Sequence, residues 1–522
     1  MKKIVMAALA LAAVLPAAAQ DTYESARLLG SDLNGTARYV GMGGAMDALG
    51  ADISTISTNP AGIGLFRHST INLSLGLQSQ MDVEKFDGLN KTVMSFDQMG
   101  FVYSQRISDR SFINVGFNYH KSRNFDQILS AANSLSGCSQ NGLTFEKGTL
   151  DDARHGGYTL DFNKDGDVIG WDGGSDYRAQ TYSQADYMNA NVLLLDPDDE
   201  YFYFNDANAY SFDRAHRGWI ADYDFNISGN HQDRFYWGIT IGVKDVHYKG
   251  YSEYAETLLD NTGVCGSVAY GDERKIKGTG FDVKAGVIIR PIEDSPFRFG
   301  LSVSTPTWYS LTSSNSSLML NNTPYGAWDN GVSEESYDFQ FYTPWKFGAS
   351  IGHTIGTNVA IGLGYEYSDY GASQNRIIDG YDYYDNAESS TDELMKRNTE
   401  KALKGVHNLK AGIEIKPATP LAIRLGYNYV SSAYNTDGVR DMMIDSPGVM
   451  YASTTDYVNW KGTNRFTCGL GYKAGGFAVD LAYQYSATNG EFHPFQDYAG
   501  RVSTTDVSNK RHNVLLTLGY TF

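Results

Sequence analysis

The stretch that decides the fold is Asn513-Val514-Leu515-Leu516-Thr517-Leu518-Gly519-Tyr520-Thr521-Phe522. Large apolar side chains recur at every second residue, and most residues between them are small or polar. A period of two with one apolar face is typical of a β-strand that has one side in an apolar environment and the other in water. One such strand fits a soluble sandwich as well as a membrane barrel.

The composition narrows the choice of protein class. The 522 residues include 60 acidic and 42 basic side chains, which give a formal charge of −18, and 13% of the residues are aromatic. So many aromatic residues exclude a disordered chain, and the negative charge argues against nucleic acid as a partner. Beyond the N-terminus no apolar stretch reaches the ~18 residues that a membrane helix needs. A large globular protein or a β-barrel remains.

The same alternation recurs along the chain. It predicts about fourteen strands, an even number, as closed outer-membrane barrels of a single chain have. The predicted strands lie near 69–78, 97–106, 111–121, 217–228, 234–250, 274–290, 296–306, 336–354, 358–370, 405–416, 421–432, 463–473, 477–486 and 510–522.

The connections between these strands alternate in length. Short turns, such as 108–110 and 474–476, alternate with long loops, such as 251–273 and 122–216, the longest of them. Short turns on one side and long loops on the other are typical of the periplasmic and extracellular ends of a membrane barrel. The sequence therefore predicts an all-β, antiparallel transmembrane barrel over 69–522.

The N-terminus predicts export. Lys2 and Lys3 precede an apolar run, 4–15, which is followed by the small-residue segment 16–19. This is the layout of a secretory signal peptide, so we expect residues 1–19 to be removed. With the barrel pattern, this places the protein in the outer membrane, in contact with lipid and lipopolysaccharide.

Residues 20–68, which we call the hatch, do not alternate and are rich in Gly and Ala. Small residues suit a backbone that packs tightly inside a confined space, although composition alone also fits a periplasmic extension. The hatch contains a GxGGA stretch, an Asp/Ala run and an NPAG motif. Its motif residues are Gly41, Gly43, Gly44, Ala45, Asp47, Ala48, Asp52, Asn59, Pro60, Ala61 and Gly62.

With these motifs the sequence resembles the FadL/TodX family of outer-membrane transporters for hydrophobic compounds. The resemblance implies a monomeric fourteen-stranded barrel stoppered by the N-terminal hatch. It also implies passive diffusion of a hydrophobic ligand, such as a long-chain fatty acid, from the extracellular loops past the hatch. An inward kink of the third strand, here near 111–121, would offer a lateral exit. The terminal Phe522 resembles the signal that the barrel-assembly machinery reads in such proteins.

Two rival functions stay open at this point. One is a surface receptor that binds haemin or host molecules, for which His68, His120 or His216 are candidate iron ligands. The other is a membrane-embedded enzyme. The G-x-S-x-G pattern at 348–352 lies within a predicted strand rather than at a strand-turn-helix elbow. We therefore expect no enzymatic activity and no required cofactor.

The longest loop contains two sequence patterns that predict local structure, and the first of them is helical. Apolar residues at helical spacing in 182–195 predict a short amphipathic helix over the barrel mouth. This helix is either a docking site for ligand or is packed against neighbouring loops.

The same loop contains a pattern typical of calcium sites. The segment 161–172 matches D-x-N-x-D-G, a pattern of oxygen ligands for calcium, within a loop that holds 16 acids and 6 bases. The candidate calcium ligands are Asp161, Asn163, Asp165, Asp167 and Asp172.

The three cysteines form an odd set. Cys138 and Cys265 both fall in predicted extracellular loops, where a disulfide between them stays open. Cys468 alternates with Phe466 and Leu470, which predicts a lipid-facing position.

Overall fold

The computed structural model describes most of the chain. The described residues are 20–155, 158–162, 168–173, 182–192, 194–195, 202–326, 330–381, 383, 387–418, 420–497 and 500–522. The predicted signal peptide, 1–19, lies outside them.

Strands dominate the described residues. They are β1 (Thr70–Gln80), β2 (Thr92–Ser108), β3 (Ser111–Asn124), β4 (Gln127–Cys138), β5 (Tyr158–Phe162), β6 (Val168–Gly173), β7 (Leu194–Leu195), β8 (Phe202–Tyr203), β9 (Ala207–His231), β10 (Phe235–Asp260), β11 (Gly263–Ile289), β12 (Arg298–Ser304), β13 (Trp308–Asn321), β14 (Asn330–Tyr342), β15 (Lys346–Ile355), β16 (Val359–Asp369), β17 (Gln374–Tyr381), β18 (Ala387–Thr391), β19 (Gly405–Ile415), β20 (Leu421–Val430), β21 (Tyr457–Ala474), β22 (Phe477–His493) and β23 (Thr505–Thr521).

Helices are short and few in this part of the chain. They are α1 (Thr22–Ala26), α2 (Ala37–Gly41), α3 (Gln140–His155), α4 (Gln184–Asn189), α5 (Glu393–Ala402) and α6 (Pro447–Met450), with 3₁₀ turns at Ile53–Ser57, Pro60–Leu65, Ala190–Val192 and Tyr370–Ala372. Within the described ranges, no helix has the length and apolar character needed to cross a membrane.

Nineteen of the described strands form one antiparallel sheet that closes on itself, whereas β5 pairs with β6 and β7 pairs with β8 in two small separate sheets. Consecutive membrane spans pair with one another, and β1 pairs with β23 over Thr70–Gln80 to complete the ring. Several of the spans consist of two strands in succession, such as β3 with β4, β12 with β13, β14 with β15 and β16 with β17. The predicted closed fourteen-stranded barrel is confirmed.

The outer face of the barrel carries a continuous apolar belt. Exposed apolar residues recur at every second position on neighbouring strands, such as Ile239, Ile241 and Val243 on β10. The residues between them, such as Thr240 and Gly242, point into the barrel and are buried. An apolar outer face with a polar interior is the arrangement that a bilayer requires of a barrel.

The alternation reverses further up the same strands. On β10 the buried, inward residues beyond Lys244 include large apolar ones, such as Val246 and Tyr248, whereas outward residues at the same level are polar, as at His247 and Lys249. We interpret the reversal as the upper edge of the bilayer, because outward side chains face lipid below it and water above it. From Phe235 to Val243 the belt spans nine residues, close to the ~9–11 that a tilted membrane strand needs.

Several predicted long loops are therefore wrong in detail. The segment 251–273 is the top of a hairpin in which β10 and β11 stay paired up to Asp260 and Gly263. The segment 122–216 likewise contains β4 and the first half of β9. The strands stay paired above the apolar belt because their inward side chains form a second apolar core there. This core includes Phe212, Tyr254 and Leu258.

Part of that extracellular core is the helix predicted over the mouth. It is α4, shorter than expected, and is continued by the 3₁₀ turn Ala190–Val192. Its apolar residues Ala185, Met188 and Val192 are buried, and the last two belong to the core with Phe212. Of the two predicted roles, packing against neighbouring loops is the one that the structure has.

A buried carboxyl gives this extracellular region a pH dependence. Glu256 accepts hydrogen bonds from the Tyr254 hydroxyl (2.7 Å) and from the backbone N–H of Gln140 (3.0 Å), the first residue of α3. Burial raises the pKa of Glu256 to about 7. Because the pKa is higher in the folded than in the opened state, closure is favoured at low pH and is weakened as the pH rises towards 7.

We therefore expect local opening of α3 to increase about tenfold per pH unit between pH 5 and pH 7. Hydrogen exchange of α3 amides, corrected for the intrinsic exchange rate, measures this. Glu256→Gln should abolish the dependence, and Glu253→Gln, an exposed position on the same strand, should keep it. An opening constant that is flat with pH in the unaltered protein would contradict the assignment.

The cysteines are free thiols in this structure. Cys138 lies on β4 and Cys265 on β11, with β9 and β10 between them. Strands lie about 4.8 Å apart, so this separation exceeds the reach of a disulfide. Cys468 is exposed on the outer face, as predicted.

Candidate functional site

The hatch fills the barrel at the level of the belt. Its residues are almost all buried, and they contact inward side chains or backbone of strands around the ring. Each short hatch element begins at a side-chain cap, as when Asn59 Oδ1 accepts from Ala61 N–H (3.2 Å) ahead of the turn Pro60–Leu65. Pro60 suits the first position of such a turn because it has no N–H to satisfy.

The glycines of the hatch motif lie where backbone meets backbone. Gly43 has a positive φ of 63°, and a Cβ there would lie 2.8 Å from the backbone nitrogen of Tyr427 in the wall. On the wall, a Cβ at Gly412 would lie 2.2 Å from the carbonyl oxygen of Met42. Gly41 faces Gly469, whereas Gly44 and Gly62 contact side chains within the hatch itself. Glycines in both the hatch and the barrel wall thus allow the two backbones to approach each other closely.

Buried ion pairs also tie the hatch to the wall. Lys410 Nζ lies 3.1 Å from Asp47 of the hatch motif and 2.7 Å from Glu366. Arg38 of the hatch lies 3.0 Å from Glu414 of β19. Of the sequence-predicted site residues, Asp47 is thus an anchor of the hatch.

A cavity of about 300 Å³ lies beside hatch residues 29–34. This volume is at the lower end of the range for small-molecule sites. Eight basic residues line the cavity against four acidic ones. The basic residues are Arg27, Lys121, Arg123, Arg214, Lys346, Lys461, Arg465 and Arg511, and the acidic ones are Asp32, Asp97, Glu366 and Asp456. Lys121 borders the cavity only with its backbone, because its ammonium lies over Trp219, and the exposed ammonium of Lys461 pairs with Glu491. The other six basic residues still outnumber the four acids.

Aromatic and aliphatic side chains complete the cavity wall. The aromatic ones are Tyr23, Phe125, Tyr367, Tyr370, Tyr434, Tyr457 and Trp460, and the aliphatic ones include Leu29, Val40, Leu77, Val406 and Leu515. The cavity therefore offers positive charge and apolar surface together.

One hatch carboxylate is shared between two of these arginines. Asp32 lies 3.7 Å from both Arg123 and Arg465. Burial would raise the pKa of Asp32, but the arginines, with Arg511, outweigh it and hold the pKa below its usual value. Asp32 is thus an anion that neutralises only part of the charge around it.

Other cations on the cavity wall meet no carboxylate within 4.0 Å among the described residues. Arg27 donates to the Tyr248 hydroxyl (2.9 Å), and Arg511 donates to the carbonyl of Asp126 (2.7 Å). For Lys346 the described residues provide neither an ion pair nor a hydrogen bond. Arg27, Lys346 and Arg511 are partly buried. A cation removed from water without an anionic partner is costly, so the cavity has an electrostatic need for a negative group.

A neutral imidazole completes the site. His216 lines the cavity above the belt, and its Nε2 has no hydrogen-bond partner in the described part of the chain. Burial, with Arg214 and Arg27 nearby, holds the pKa of His216 well below its usual range. The imidazole can therefore hydrogen-bond to a ligand without adding charge.

The histidines considered as iron ligands do not meet. His68 is exposed next to β1, and His120 lines an adjoining cavity of about 120 Å³, which shares Asp32, Lys346 and Arg465 with the first cavity but does not include His216. Among the described residues, His120, Asp222 and Asp224 bring possible metal-ligand atoms within 4.8 Å of one another. Lys244 and Lys284 pair with these carboxylates, however, so the cluster already has cations.

The remaining predicted site residues are placed as follows. Asp161 and Asp172 lie on the paired strands β5 and β6, whereas Asn163, Asp165 and Asp167 lie outside the described residues, so the calcium loop stays a prediction. Phe522 is exposed after β23, and its N–H donates to the carbonyl of Ser69 (3.0 Å).

Over 112–120, β3 keeps an unshifted register with both β2 and β9. Its register with β9 shifts just beyond that range, between Lys121 and Arg123, where Ser122 is skipped. A second irregularity lies in β2, where Asp97 is skipped in the pairing with β1 and is buried. Asp97 and Gly76 border the charged cavity at that point, so the cavity reaches the wall between β1 and β2.

Sequence reasoning missed the cavity cations. They come from the hatch and from strands far apart in the chain, so no local spacing marks them. The one available signal was a basic residue at an inward position of an alternating strand, such as Arg465 on β21.

No protein-family model matches the sequence, and no curated protein matches it. Solved structures do match. A Pseudomonas aeruginosa FadL homologue is 10% identical with a TM-score of 0.50, and the match covers 94% of this chain and 99% of that chain. The CymD monoaromatic hydrocarbon channel is 10% identical, with coverages of 94% and 98% and a TM-score of 0.49.

The Ralstonia pickettii toluene transporter TbuX is 11% identical, with coverages of 94% and 99% and a TM-score of 0.47. At such low identity these matches concern the fold. The chain has the fold of the FadL-type channels for hydrophobic compounds.

Proposed function

We propose that the protein is an outer-membrane channel for hydrophobic molecules that carry an anionic group, such as long-chain fatty acids. The observation that carries the proposal is the cavity beside the hatch, where Arg27, Lys346 and Arg511 have no carboxylate partner among the described residues. A fatty acid supplies the missing negative charge through its carboxylate and covers the aromatic and aliphatic wall with its chain.

The charge of the cavity separates this ligand class from neutral hydrocarbons. Structures with the same fold include channels described as toluene and monoaromatic hydrocarbon channels. A neutral aromatic ring would leave the cavity cations without a partner, at a cost in desolvation that only an anion offsets. The preferred solute of this chain is therefore an amphipathic anion.

Movement through the channel follows the concentration gradient. The ligand enters from the extracellular loops, is held at the cavity, and passes the hatch after the hatch shifts. The hatch is attached by a limited set of ion pairs, including Asp47–Lys410 and Arg38–Glu414, which a shift would break and re-form. The barrel acts as a conduit, and no enzymatic step is part of the proposal.

The experiment compares oleate with toluene in cells that carry the gene, lack it or carry a variant. We expect the double variant Lys346→Met with Arg511→Gln to take up oleate, at a concentration below saturation, about a hundredfold more slowly, because each of the two lost charge-assisted contacts weakens binding about tenfold. Toluene entry should not change. Lys473→Met, an exposed lysine at the lower end of β21, is the control.

Equal oleate uptake with and without the gene would refute the proposal for this ligand class. Normal oleate uptake by the double variant, at an equal amount of folded protein, would refute the role of the cavity.

Haemin binding is the second candidate, favoured by one observation. His216 lines the cavity with an unpartnered nitrogen, and arginines beside it suit the two carboxylates of haemin. Adding haemin to the purified protein tests it. An absorbance band typical of histidine-ligated haem that disappears in His216→Ala would favour this function over fatty-acid transport.

A further inference from the structure

The outer surface carries a basic patch just above the apolar belt. It consists of Lys121 on β3, Arg217 on β9, Lys249 on β10, and Lys275 and Lys277 on β11. All five lie at outward positions of their strands, beyond the point where outward residues change from apolar to polar. We call these residues the outer patch.

The register of β9, β10 and β11 places residues of the outer patch side by side. Lys249 pairs directly with Arg217 on one side and with Lys275 on the other, so three cations lie in one row across three strands. The row below it, nearer the belt, contains Trp219, His247 and Lys277. Like charges directly opposite one another destabilise a sheet, so such a row needs negative charge nearby.

The protein supplies only part of that negative charge. Glu273 contacts both Lys249 (2.6 Å) and Lys275 (2.5 Å), and Asp87 contacts Arg217 (2.9 Å). Asp245 also faces the patch and lies 3.0 Å from His247. Asp338 of β14 accepts a hydrogen bond from Thr312, the residue that pairs with Lys277. These four acids face five basic residues, on a chain whose overall charge is −18.

Two members of the patch have no ion-pair partner among the described residues. Lys277 is exposed on β11. Lys121 borders the inner cavity with its backbone, but its ammonium lies 5.3 Å from the centre of the Trp219 ring on the outer face. An ammonium over an exposed indole remains available to an anion from outside.

The position of the patch relative to the bilayer indicates which kind of anion can bind there. Below it, Phe225, Ile241 and Phe281 are exposed in the belt, and Trp219 marks the interface where aromatic residues concentrate in membrane barrels. Lys277 lies in the same row as Trp219 and Lys121 lies one row nearer the belt. Basic side chains beside such an interfacial aromatic residue lie at the level of lipid headgroups. A lipid can therefore place its acyl chains on the belt and its phosphate on the patch at once.

The edge of the patch away from the membrane is bounded by the β1–β2 loop. Phe86 of this loop stacks on the outward ring of Tyr251 at 5.9 Å, and Asp87 reaches Arg217. The loop thus lies against the outer wall in the row above Lys249. This leaves the side towards the bilayer as the open approach to the lysines.

We propose that the outer patch binds the phosphate of a phosphorylated glycolipid of the outer leaflet, with Lys121 and Lys277 as the principal contacts. The acyl chains of the same lipid lie along the belt formed by β9, β10 and β11. The site is on the outside of the barrel and does not depend on transport through it, so its test is independent of the proposed channel function.

The test measures lipid retained by purified, folded protein in detergent, with native mass spectrometry as the readout. The probes are bisphosphorylated lipid A, the same lipid without phosphates, phosphatidylglycerol and inorganic phosphate. We expect the unaltered protein to prefer the bisphosphorylated lipid. Lys121→Gln with Lys277→Gln should weaken its binding about fivefold per lysine, roughly 25-fold together.

Lys473→Gln, which removes an exposed lysine at the opposite end of the barrel, should bind like the unaltered protein. If the double variant folds poorly, the two single variants carry the same comparison. Equal retention of the dephosphorylated lipid or of phosphatidylglycerol would overturn the proposal. So would displacement of the lipid by inorganic phosphate, since the site would then recognise a free anion.

Discussion

Replacing Lys410 with methionine is expected to release the hatch from the wall. Lys410 lies between Asp47 of the hatch and Glu366 of β16, at 3.1 and 2.7 Å, and all three groups are buried or nearly so. Without the ammonium the two carboxylates face each other with no cation between them. Removing one partner of a buried ion pair costs about 3–5 kcal/mol, enough to favour an undocked hatch.

Single-channel conductance in planar bilayers and proteolysis of the purified protein measure this release. We expect the Lys410→Met variant to conduct more and to be cut within 20–66, while the barrel remains folded. Adding Asp47→Asn and Glu366→Gln removes the unpaired charges and should restore closure. Lys473→Met is the control. A Lys410→Met variant with the conductance and protection of the unaltered protein would show that the ion pair does not hold the hatch.

The second large effect is expected from a single added side chain, Gly412→Val. The Cβ alone would lie 2.2 Å from the carbonyl oxygen of Met42, a backbone atom that cannot move without moving the hatch. Overpacking of a core commonly costs about 1–3 kcal/mol, and here it acts on a rigid backbone contact. We therefore expect the hatch to be expelled or the barrel to assemble poorly.

The shift in gel mobility between heated and unheated samples reports barrel folding, and protease sensitivity of the hatch reports docking. Gly380→Val on β17 is the matched control, because a Cβ there meets no atom within 4 Å. If both variants fold and protect the hatch equally, the close contact at Gly412 is not a constraint on assembly.

Much of the wall was predictable because the direction of a strand side chain alternates locally. The apolar series on β10 and on β23 each indicate a lipid-facing strand without any knowledge of the partner strand. The even count of such series, and the alternation of short and long connections, then indicate closure. The reversal of the pattern after Val243 was also visible in the sequence, although the predicted loop at 251–273 ignored it.

The helix over the barrel mouth shows that a local sequence pattern does not predict the exposure of a helix face. The spacing of Ala185, Met188 and Val192 is correct for one apolar face, but spacing does not say whether water or protein covers that face. The structure buries it against Phe212 and its neighbours, because strand pairing continues above the membrane and builds a core there. Exposure of an amphipathic helix is therefore a tertiary property.

By itself, the sequence determined the barrel wall, the position of the hatch motif before the first strand, and the lipid-facing side of each strand. These follow from a period of two and from residues that are neighbours along the chain. The tertiary structure alone decided which charges meet inside the barrel. Asp32 and Arg465 are hundreds of residues apart, and they share one cavity only because closure of the sheet brings distant strands around the hatch.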